Sequence, residues 1–285
     1  MNKYFLFILI ITNSLFIFAT DTTSVSSINQ ENINKHYLSI SPSYQFHKYL
    51  DNQLSALLYK GNLAGIHFAF ESDQSFNKYS ISIGGFYGLL NGTTQQVSYQ
   101  ASQGLIDLKA YYLHSINYKK DQINKYLGAS VNHKYFIHYN TNLQNAAFTT
   151  SFLNHIAISA ELEKLFSWQA KSSKIWFLKF NRRNRNLKIN FKLDLPLLFF
   201  NLRPPYSTIS DFSNGENLLD LKTKTYIIGA GAFQLNTTTS LTYYLSNTNA
   251  FRISYQWQVF KFNDAFSSYQ SAQHIIEFSL LFKFN

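Results

Sequence analysis

The chain contains no cysteine and is poor in proline and in charge. Of its 285 residues, 4 are proline and 14% are Asp, Glu, Lys or Arg. Without cysteine there is neither a disulfide nor a thiolate metal site, so an exported protein of this size must be stabilised by its own sheet or by membrane burial. Because no cysteine follows the apolar N-terminal segment, a lipid-anchored lipoprotein is also excluded.

Long apolar runs are missing beyond the N-terminus. After Ala19 no run of about 20 apolar residues occurs, which excludes a helical inner-membrane protein. The longest apolar block, Leu195 to Phe200, is interrupted by Pro196. Mean hydropathy is -0.16 and would by itself indicate a soluble protein. That average conceals any pattern in which apolar and polar residues alternate.

The first nineteen residues have the pattern of a secretory signal peptide. Lys3 supplies the positive start, Phe5 to Phe18 is a mostly apolar core, and cleavage is predicted after Ala19. The alternative is a single membrane-anchor helix. Residues 20–35 are rich in Ser, Thr and Asn and are predicted to be a flexible leader.

The net charge of +10 would favour nucleic acid as the partner of a cytosolic protein. Export argues against that partner, and no nucleic acid is expected. The remaining interpretations are solvated loops and contact with anionic lipid headgroups.

Aromatic residues are abundant at 18%, and they follow a pattern. The clearest example is Leu187 to Phe199, in which every second residue is apolar. Because a strand places alternate side chains on opposite faces, one face of this segment is apolar and the other carries charges of both signs. When several strands do this, a barrel with lipid outside and polar groups inside is favoured.

The same alternation recurs along the chain and predicts eleven or twelve strands, with twelve favoured and 10 or 14 open, because bacterial single-chain barrels have even strand numbers. The segments are Tyr37–Phe46, Ile66–Phe70, Tyr79–Leu89, Leu105–His114, Leu127–Ile137, Phe152–Leu162, Leu187–Phe199, Tyr226–Phe233, Thr238–Leu245, Phe251–Val259 and Ile276–Phe284, with Ile175–Phe180 as the uncertain twelfth.

Between these strands the sequence predicts loops and turns. Long loops are expected at His47–Asn62, Asn201–Leu221 and Asn263–Ala272, and tight turns at Asn91-Gly92 and Ser246–Asn249. The predicted fold is all-β: residues 36–285 form a single antiparallel transmembrane β-barrel.

The signal peptide, the aromatic-rich alternating strands, the absence of cysteine and the final strand with Phe278, Leu280, Phe282 and Phe284 together resemble bacterial outer-membrane β-barrel proteins. The composition and the stretch from Leu-Pro-Leu-Leu at 195–198 to Arg-Pro-Pro-Tyr at 203–206 look most like barrels of the Bacteroidetes type. The resemblance implies location in the outer membrane, contact with outer-membrane lipid and lipopolysaccharide, and delivery by the barrel-assembly machinery, which reads the last strand. It implies no cofactor and no functional residues.

The polar faces of the predicted strands hold acids and bases in mixed numbers. If those faces point inward, the lumen contains a packed, salt-bridged interior or a narrow aqueous channel of weak charge selectivity. The predicted lumen charges are Glu71, Asp107, Lys109, Lys134, Glu161, Glu163, Lys188, Lys192, Asp194, Arg252 and Glu277.

No catalytic or metal-binding residue is predicted. His155 and Ser159 share a face, but residues four apart on a strand are about 13 Å apart and cannot be direct partners. His133 and His138 fall on opposite faces of one strand. The favoured function is an outer-membrane barrel with a structural, adhesive or small-solute channel role. The alternatives are a barrel enzyme acting on lipid or lipopolysaccharide, and a secreted soluble β-sandwich that binds glycans.

A basic turn contains Arg182, Arg183 and Arg185, interleaved with asparagine. One interpretation is a solvated turn. The other is a contact with phosphate groups of anionic lipid.

Overall fold

The computed structural model describes residues 35–52, 55–74, 76–93, 98–116, 123–140, 148–168, 173–175, 178–180, 185–203, 222–227, 232–262 and 268–284. The predicted signal peptide and leader lie outside these ranges, except for Lys35. Within the ranges there is no helix that is both long enough and apolar enough to cross a membrane.

The described chain is built from strands that follow one another along the sequence. They are β1 Lys35–Asp51, β2 Ser55–Asp73, β3 Asn77–Thr93, β4 Ser98–Ser115, β5 Asn124–Tyr139, β6 Phe148–Trp168, β7 Ser173–Ile175, β8 Leu178–Phe180, β9 Arg185–Arg203, β10 Lys222–Ile227, β11 Ala232–Tyr244, β12 Ala250–Phe262 and β13 Tyr269–Phe284.

One antiparallel sheet closes on itself. From β1 to β6 each strand pairs with the next, β6 pairs with β9, and β13 pairs with both β12 and β1. The two strands β10 and β11 occupy one position in the barrel, because β10 pairs with the C-terminal part of β9 and β11 with its N-terminal part. The short β7 and β8 pair only with each other. The barrel therefore has ten strand positions.

Closure confirms the all-β barrel and corrects two details of the prediction. A β-sandwich is wrong, since the described barrel strands form one sheet that closes on itself through the pairing of β13 with β1. The favoured number of twelve is also wrong, for two reasons. The predicted strand Ile175–Phe180 is a small hairpin outside the barrel, and the predicted strands Tyr226–Phe233 and Thr238–Leu245 share one position beside β9.

The outer face carries the apolar half of the alternation. On β3, Ile81 is 64% exposed and Ile83 50%, and on β13 Phe278 is 56% exposed. The outward apolar residues of β3 extend from Tyr79 to Leu89, which at ordinary strand rise and tilt spans about 25 Å along the barrel axis. An apolar band of that height matches the hydrocarbon thickness crossed by outer-membrane barrels.

The sense of the alternation inverts toward one end of the barrel. We call the end that carries Lys35 and Phe284 the lower end, and the opposite end the upper end. Near the upper end Tyr49, Tyr59 and Tyr269 are buried inside, while Lys60 is exposed outside. The strands therefore continue past the apolar band as a barrel with an apolar interior.

This inversion explains why two predicted loops are wrong. β1 runs on to Asp51 and β2 already begins at Ser55, so most of the expected loop His47–Asn62 is strand. Likewise β13 begins at Tyr269, inside the expected loop Asn263–Ala272. The alternation persists there, but the apolar residues change faces, and the pattern consequently looks irregular.

A β-bulge interrupts β9 at Leu197. Ile156 of β6 pairs with Leu198, while its neighbour Ala157 pairs with Pro196, so Leu197 has no partner on β6. Proline lacks the N–H that a regular ladder uses, and bulges are where strands tolerate it. The extra residue turns Phe199 inward, where it is 1% exposed, although strict alternation placed it outside.

Two predicted turns have different outcomes. Asn91-Gly92 is not a turn, because both residues are paired in β3, where Gly92 faces Tyr59. The turn after β11 is confirmed: Leu245 and Asn249 are joined by a backbone hydrogen bond of 2.7 Å, and Thr248 has a φ of 65°.

Candidate functional site: the barrel interior

The structure places all the sequence-predicted lumen charges on the inner face of the barrel. Each lies on a strand position whose side chain points away from the apolar band and makes contacts inside. They are Glu71, Asp107, Lys109, Lys134, Glu161, Glu163, Lys188, Lys192, Asp194, Arg252 and Glu277. The interior also contains two charges that lie between the predicted strands Ile66–Phe70 and Tyr79–Leu89, Asp73 and Lys78.

Near the lower end, two lysines bridge three acids. Lys78 Nζ lies 2.7 Å from Glu161 Oε1 and also contacts Glu163. Lys188 Nζ lies 3.0 Å from Asp73 Oδ2 and 3.2 Å from Glu163 Oε2. Because Glu163 is shared, β2, β3, β6 and β9 are joined across the lumen by one network.

A second ion pair crosses the same level. The guanidinium of Arg252 donates to both carboxylate oxygens of Glu71, at 2.7 and 2.8 Å. Two parallel N–H···O bonds of this kind fix geometry as well as adding energy. The pair ties β12 to β2, which are not neighbours in the barrel.

Above it, His67 reaches Glu277, with Nδ1 2.6 Å from Oε1. Gly84 on the adjacent strand makes this possible, because a Cβ there would sit 1.5 Å from Cδ2 of the imidazole ring. The small residue at position 84 therefore has a packing role that its place in a Gly-rich strand did not reveal.

Asp194 is the central charged residue in the middle part of the lumen. Its carboxylate lies 3.3 Å from Lys109 Nζ and 3.4 Å from Lys192 Nζ, and accepts a hydrogen bond of 2.5 Å from Ser159. Lys192 also lies over the ring of Tyr111, 3.8 Å from its centre. The Asp194 carboxylate is thereby partnered, as burial requires. Within the described chain, Lys192 Nζ and Asp107 Oδ1 are buried without a hydrogen bond.

Above the charges lies a layer of amides around Lys134. Its Nζ donates to Gln258 Oε1 at 2.5 Å and to Gln273 Oε1 at 2.7 Å. A cavity beside it, also lined by His155 and Gln234, has room for about one water molecule. Gln234 Oε1 is buried without a hydrogen-bond partner and is a natural acceptor for such a water.

The amide layer contains a serine–histidine pair that the sequence reasoning missed. His47 Nδ1 lies 2.7 Å from Gln103 Oε1, and its Nε2 lies 3.0 Å from Ser271 Oγ. Because the amide oxygen can only accept, Nδ1 carries the proton and Nε2 accepts from the hydroxyl. Both His47 and Ser271 fell in predicted loops, and their approach depends on the pairing of β1 with β13, which joins residues 224 positions apart.

The upper end of the lumen is closed by an aromatic layer. Tyr49 stacks on Tyr59 with ring centres 5.2 Å apart, and Phe262 stacks on Tyr269 at 5.7 Å. Phe260 joins Tyr269 to Phe199, the residue that the bulge turns inward. These rings form one buried cluster with residues such as Leu63 and Phe136, both nearly inaccessible to solvent.

The described interior thus contains, from the lower to the upper end, paired charges, amides and aromatic rings. No group of three His, Asp or Glu side chains within the described ranges is placed to hold a metal ion. His133 and His138 lie on opposite faces of β5, His133 half-buried and His138 buried inside.

Of the predicted basic turn, only Arg185 is described. It is the first residue of β9 and is exposed at the lower end, with its guanidinium carbon 5.8 Å from the centre of the Tyr243 ring. Arg182 and Arg183 lie outside the described residues.

Comparisons with known proteins find similarity in structure alone. No family model matches the sequence, and no curated protein matches it. The outer membrane protease OmpT from Escherichia coli superposes with a TM-score of 0.50 at 8% identity, covering 92% of this chain and 100% of that chain. The transport unit of the autotransporter AIDA-I from Escherichia coli covers 95% and 97% at 8% identity, with a TM-score of 0.34.

The beta domain of the Bordetella autotransporter BrkA gives a TM-score of 0.35 at 8% identity, covering 87% of this chain and 100% of that chain. The superposition on OmpT, at a TM-score of 0.50 and 8% identity, shows the fold and nothing more. Closed antiparallel pairing, the outward apolar band and the superposition on OmpT agree with one another. The chain has the fold of the bacterial outer-membrane β-barrel proteins.

Proposed function

We propose that the chain is an integral outer-membrane barrel with a closed lumen, and that its role is structural or adhesive rather than conductive. One observation carries the proposal: paired charges, amides and aromatic rings follow one another along the described interior from the lower to the upper end. A conducting pore needs a continuous water-filled path with sites that an ion can enter and leave. Here most inward charges pair with each other, and aromatic rings lie across the upper end.

We infer the orientation from the longest connection. Ten is even, so Lys35 and Phe284 lie at the same end. Short connections occur at both ends, between β2 and β3 at the lower end and between β1 and β2 at the upper end. The longest connection, residues 204–221, follows β9, which ends at the upper end. Since the extracellular loops of such barrels are the longer ones, we place the upper end on the outside of the cell, where a structural or adhesive protein meets its surroundings.

The closed lumen is tested by recording conductance of the folded, purified protein in planar lipid bilayers. No unitary steps above the leakage of a sealed bilayer are expected. Boiled protein serves as the control for adventitious pores, since it lacks the barrel but comes from the same preparation. Reproducible steps that disappear on boiling would mean that the lumen conducts.

Insertion in the membrane is tested separately by fractionation. Because the outward band is apolar, the protein should resist extraction with carbonate or high salt. An unboiled sample in detergent should migrate differently from a boiled one, since a closed barrel has no edge strand from which to unzip. Extraction together with identical migration would overturn the membrane-spanning proposal.

A second candidate function is hydrolysis of a lipid ester, and the contact between Ser271 and His47 favours it. A nucleophile beside a base that is oriented by a third group is the arrangement such chemistry uses, and Gln103 takes the third position. The neighbouring cavity has room for only about one water, so an acyl chain requires the aromatic layer to move. Labelling of the folded protein by a fluorophosphonate, abolished in Ser271→Ala, would support this activity, and absence of labelling would remove it.

A further inference from the structure

The described charges are divided between the two faces of the barrel in an uneven way. Every described acid has its side chain on the inner face: Asp51, Glu71, Asp73, Asp107, Glu161, Glu163, Asp194 and Glu277. The outer face of the described strands carries bases only: Lys48, Lys60, Lys125, Lys164, Arg185 and Lys261. The outer surface is therefore cationic wherever it is charged.

Three of these bases lie near the upper end. Lys48 of β1 and Lys60 of β2 are direct cross-strand partners, so their Cβ atoms lie about 5 Å apart. Lys261 of β12 lies two strands from Lys48, at the level of Leu50, which places it about 12 Å from Lys48 and about 16 Å from Lys60. We call Lys48, Lys60 and Lys261 the upper lysine cluster.

Like charges placed directly opposite one another destabilise a sheet unless something compensates them. Within the described chain, no carboxylate and no aromatic ring contacts any member of the upper lysine cluster. The lower bases differ: Lys164 lies over Phe166 at 5.1 Å and Arg185 over Tyr243 at 5.8 Å. Lysine also protects exposed sheet edges, but a closed barrel has no edge at β1 or β2.

The position along the barrel axis indicates what compensates the charge. Just below the cluster, on the membrane side, the outer face carries Phe46, Tyr255, Trp257 and His274. Tyr255 OH lies 2.7 Å from His274 Nδ1, whose ring lies 6.2 Å from that of Phe46. Aromatic residues of this kind occupy the interface between hydrocarbon and headgroups. Along their strands, the lysines are the first or second outward-facing residue above these aromatic residues. That position corresponds to the depth of the headgroup phosphates.

We infer that the upper lysine cluster binds the phosphate groups of an anionic lipid in the leaflet at the upper end of the barrel. The inference rests on the proposed membrane-spanning function and adds a site to it. It assigns the site to Lys48 and Lys60 as a pair, with Lys261 contacting a second phosphate or the same headgroup. It differs from the predicted basic turn, whose described member Arg185 lies at the opposite end.

The test compares two double variants that lose the same charge. In Lys48→Gln/Lys60→Gln the pair is removed, and in Lys164→Gln/Arg185→Gln two outward bases are removed at the lower end. The folded barrel is titrated in neutral detergent with lipid A, a doubly phosphorylated lipid, and the bound lipid is counted by native mass spectrometry. The upper variant should bind at least about tenfold more weakly than the unchanged protein, while the lower variant stays within about twofold.

Several outcomes would overturn the inference. Equal losses in both variants would mean that net charge alone attracts lipid, and a loss confined to the lower variant would assign binding to the region of Arg185. Inorganic phosphate that displaces the lipid at matched concentration would mean a free-phosphate site. Both variants are first checked for heat-modified migration and carbonate resistance. If the unchanged protein shows neither heat-modified migration nor carbonate resistance, the membrane barrel itself is refuted. If the variants fold as barrels and bind lipid A as well as the unchanged protein does, only this site is refuted.

Discussion

Arg252 and Glu71 are joined by two hydrogen bonds across the lumen, although they lie 181 residues apart and on strands that do not touch. The pair links β12 to β2 over the two intervening strands β13 and β1. Those intervening strands are the ones where the first and last strands of the barrel meet. The ion pair therefore reinforces the closure of the barrel from the inside.

Removing one member of this pair should destabilise the barrel more than removing both. Arg252→Met leaves a partly buried carboxylate without its partner, and a loss of about 3 kcal/mol in the free energy of unfolding is expected. Glu71→Met should cost a similar amount, and the double variant should recover most of the loss. Urea unfolding in detergent gives the free energy of unfolding of the unchanged protein, the two single variants and the double variant. Additive losses in the double variant would show that the two side chains do not interact.

The faces of β9 give a second prediction. Leu193 points outward near the middle of the apolar part of β9, and Arg at this position should cost about 2–4 kcal/mol. Lys192→Gln should cost only about 1 kcal/mol, because Asp194 keeps Lys109 and Ser159 as partners. The measurement is the fraction of outer-membrane protein that shows heat-modified migration. The reverse order of effects would mean that the strand faces the other way.

The bulge in β9 gives a third prediction. Deletion of Leu197 removes the residue that has no partner on β6 and restores regular alternation, while Phe199 stays inside. The variant should assemble nearly as well as the unchanged protein. Deletion of Leu193 is the matched control, because it removes a paired residue and reverses the faces of everything on one side of it. Equal assembly of the two deletions would contradict the assigned register.

Gly84 gives a fourth prediction. Gly84→Ala places a methyl group against the ring of His67 and should cost about 1–3 kcal/mol. In a His67→Ala background the same substitution should cost much less, since the obstructing ring is gone. Gly85→Ala is the control, because a Cβ at position 85 meets nothing within 4 Å. Unfolding in urea reads out each variant, and an undiminished cost in the His67→Ala background would place the clash elsewhere.

The sequence by itself determined which residues of each strand share a face. Lys188, Lys192 and Asp194 fall on one side of β9 and Leu193 on the other, because the two-residue period is built into the extended backbone. Local patterning was therefore enough for the fold class. Local patterning failed where the face of a residue depends on pairing with another strand. At Leu197, only the pairing with β6 reveals the bulge that turns Phe199 inward.

The tertiary structure alone decided how many strands close the barrel and which inward residues meet. β10 and β11 look like two strands along the chain, and they become one position only because β9 is long enough to pair with both. The contact between His47 and Ser271 likewise requires the first and last strands to pair. Contacts between residues so far apart in the sequence depend on closure of the whole sheet. The local alternation of apolar and polar residues contains no information on that closure. The same closure sorts the charges, leaving every described acid inside and Lys48 beside Lys60 on the outer surface.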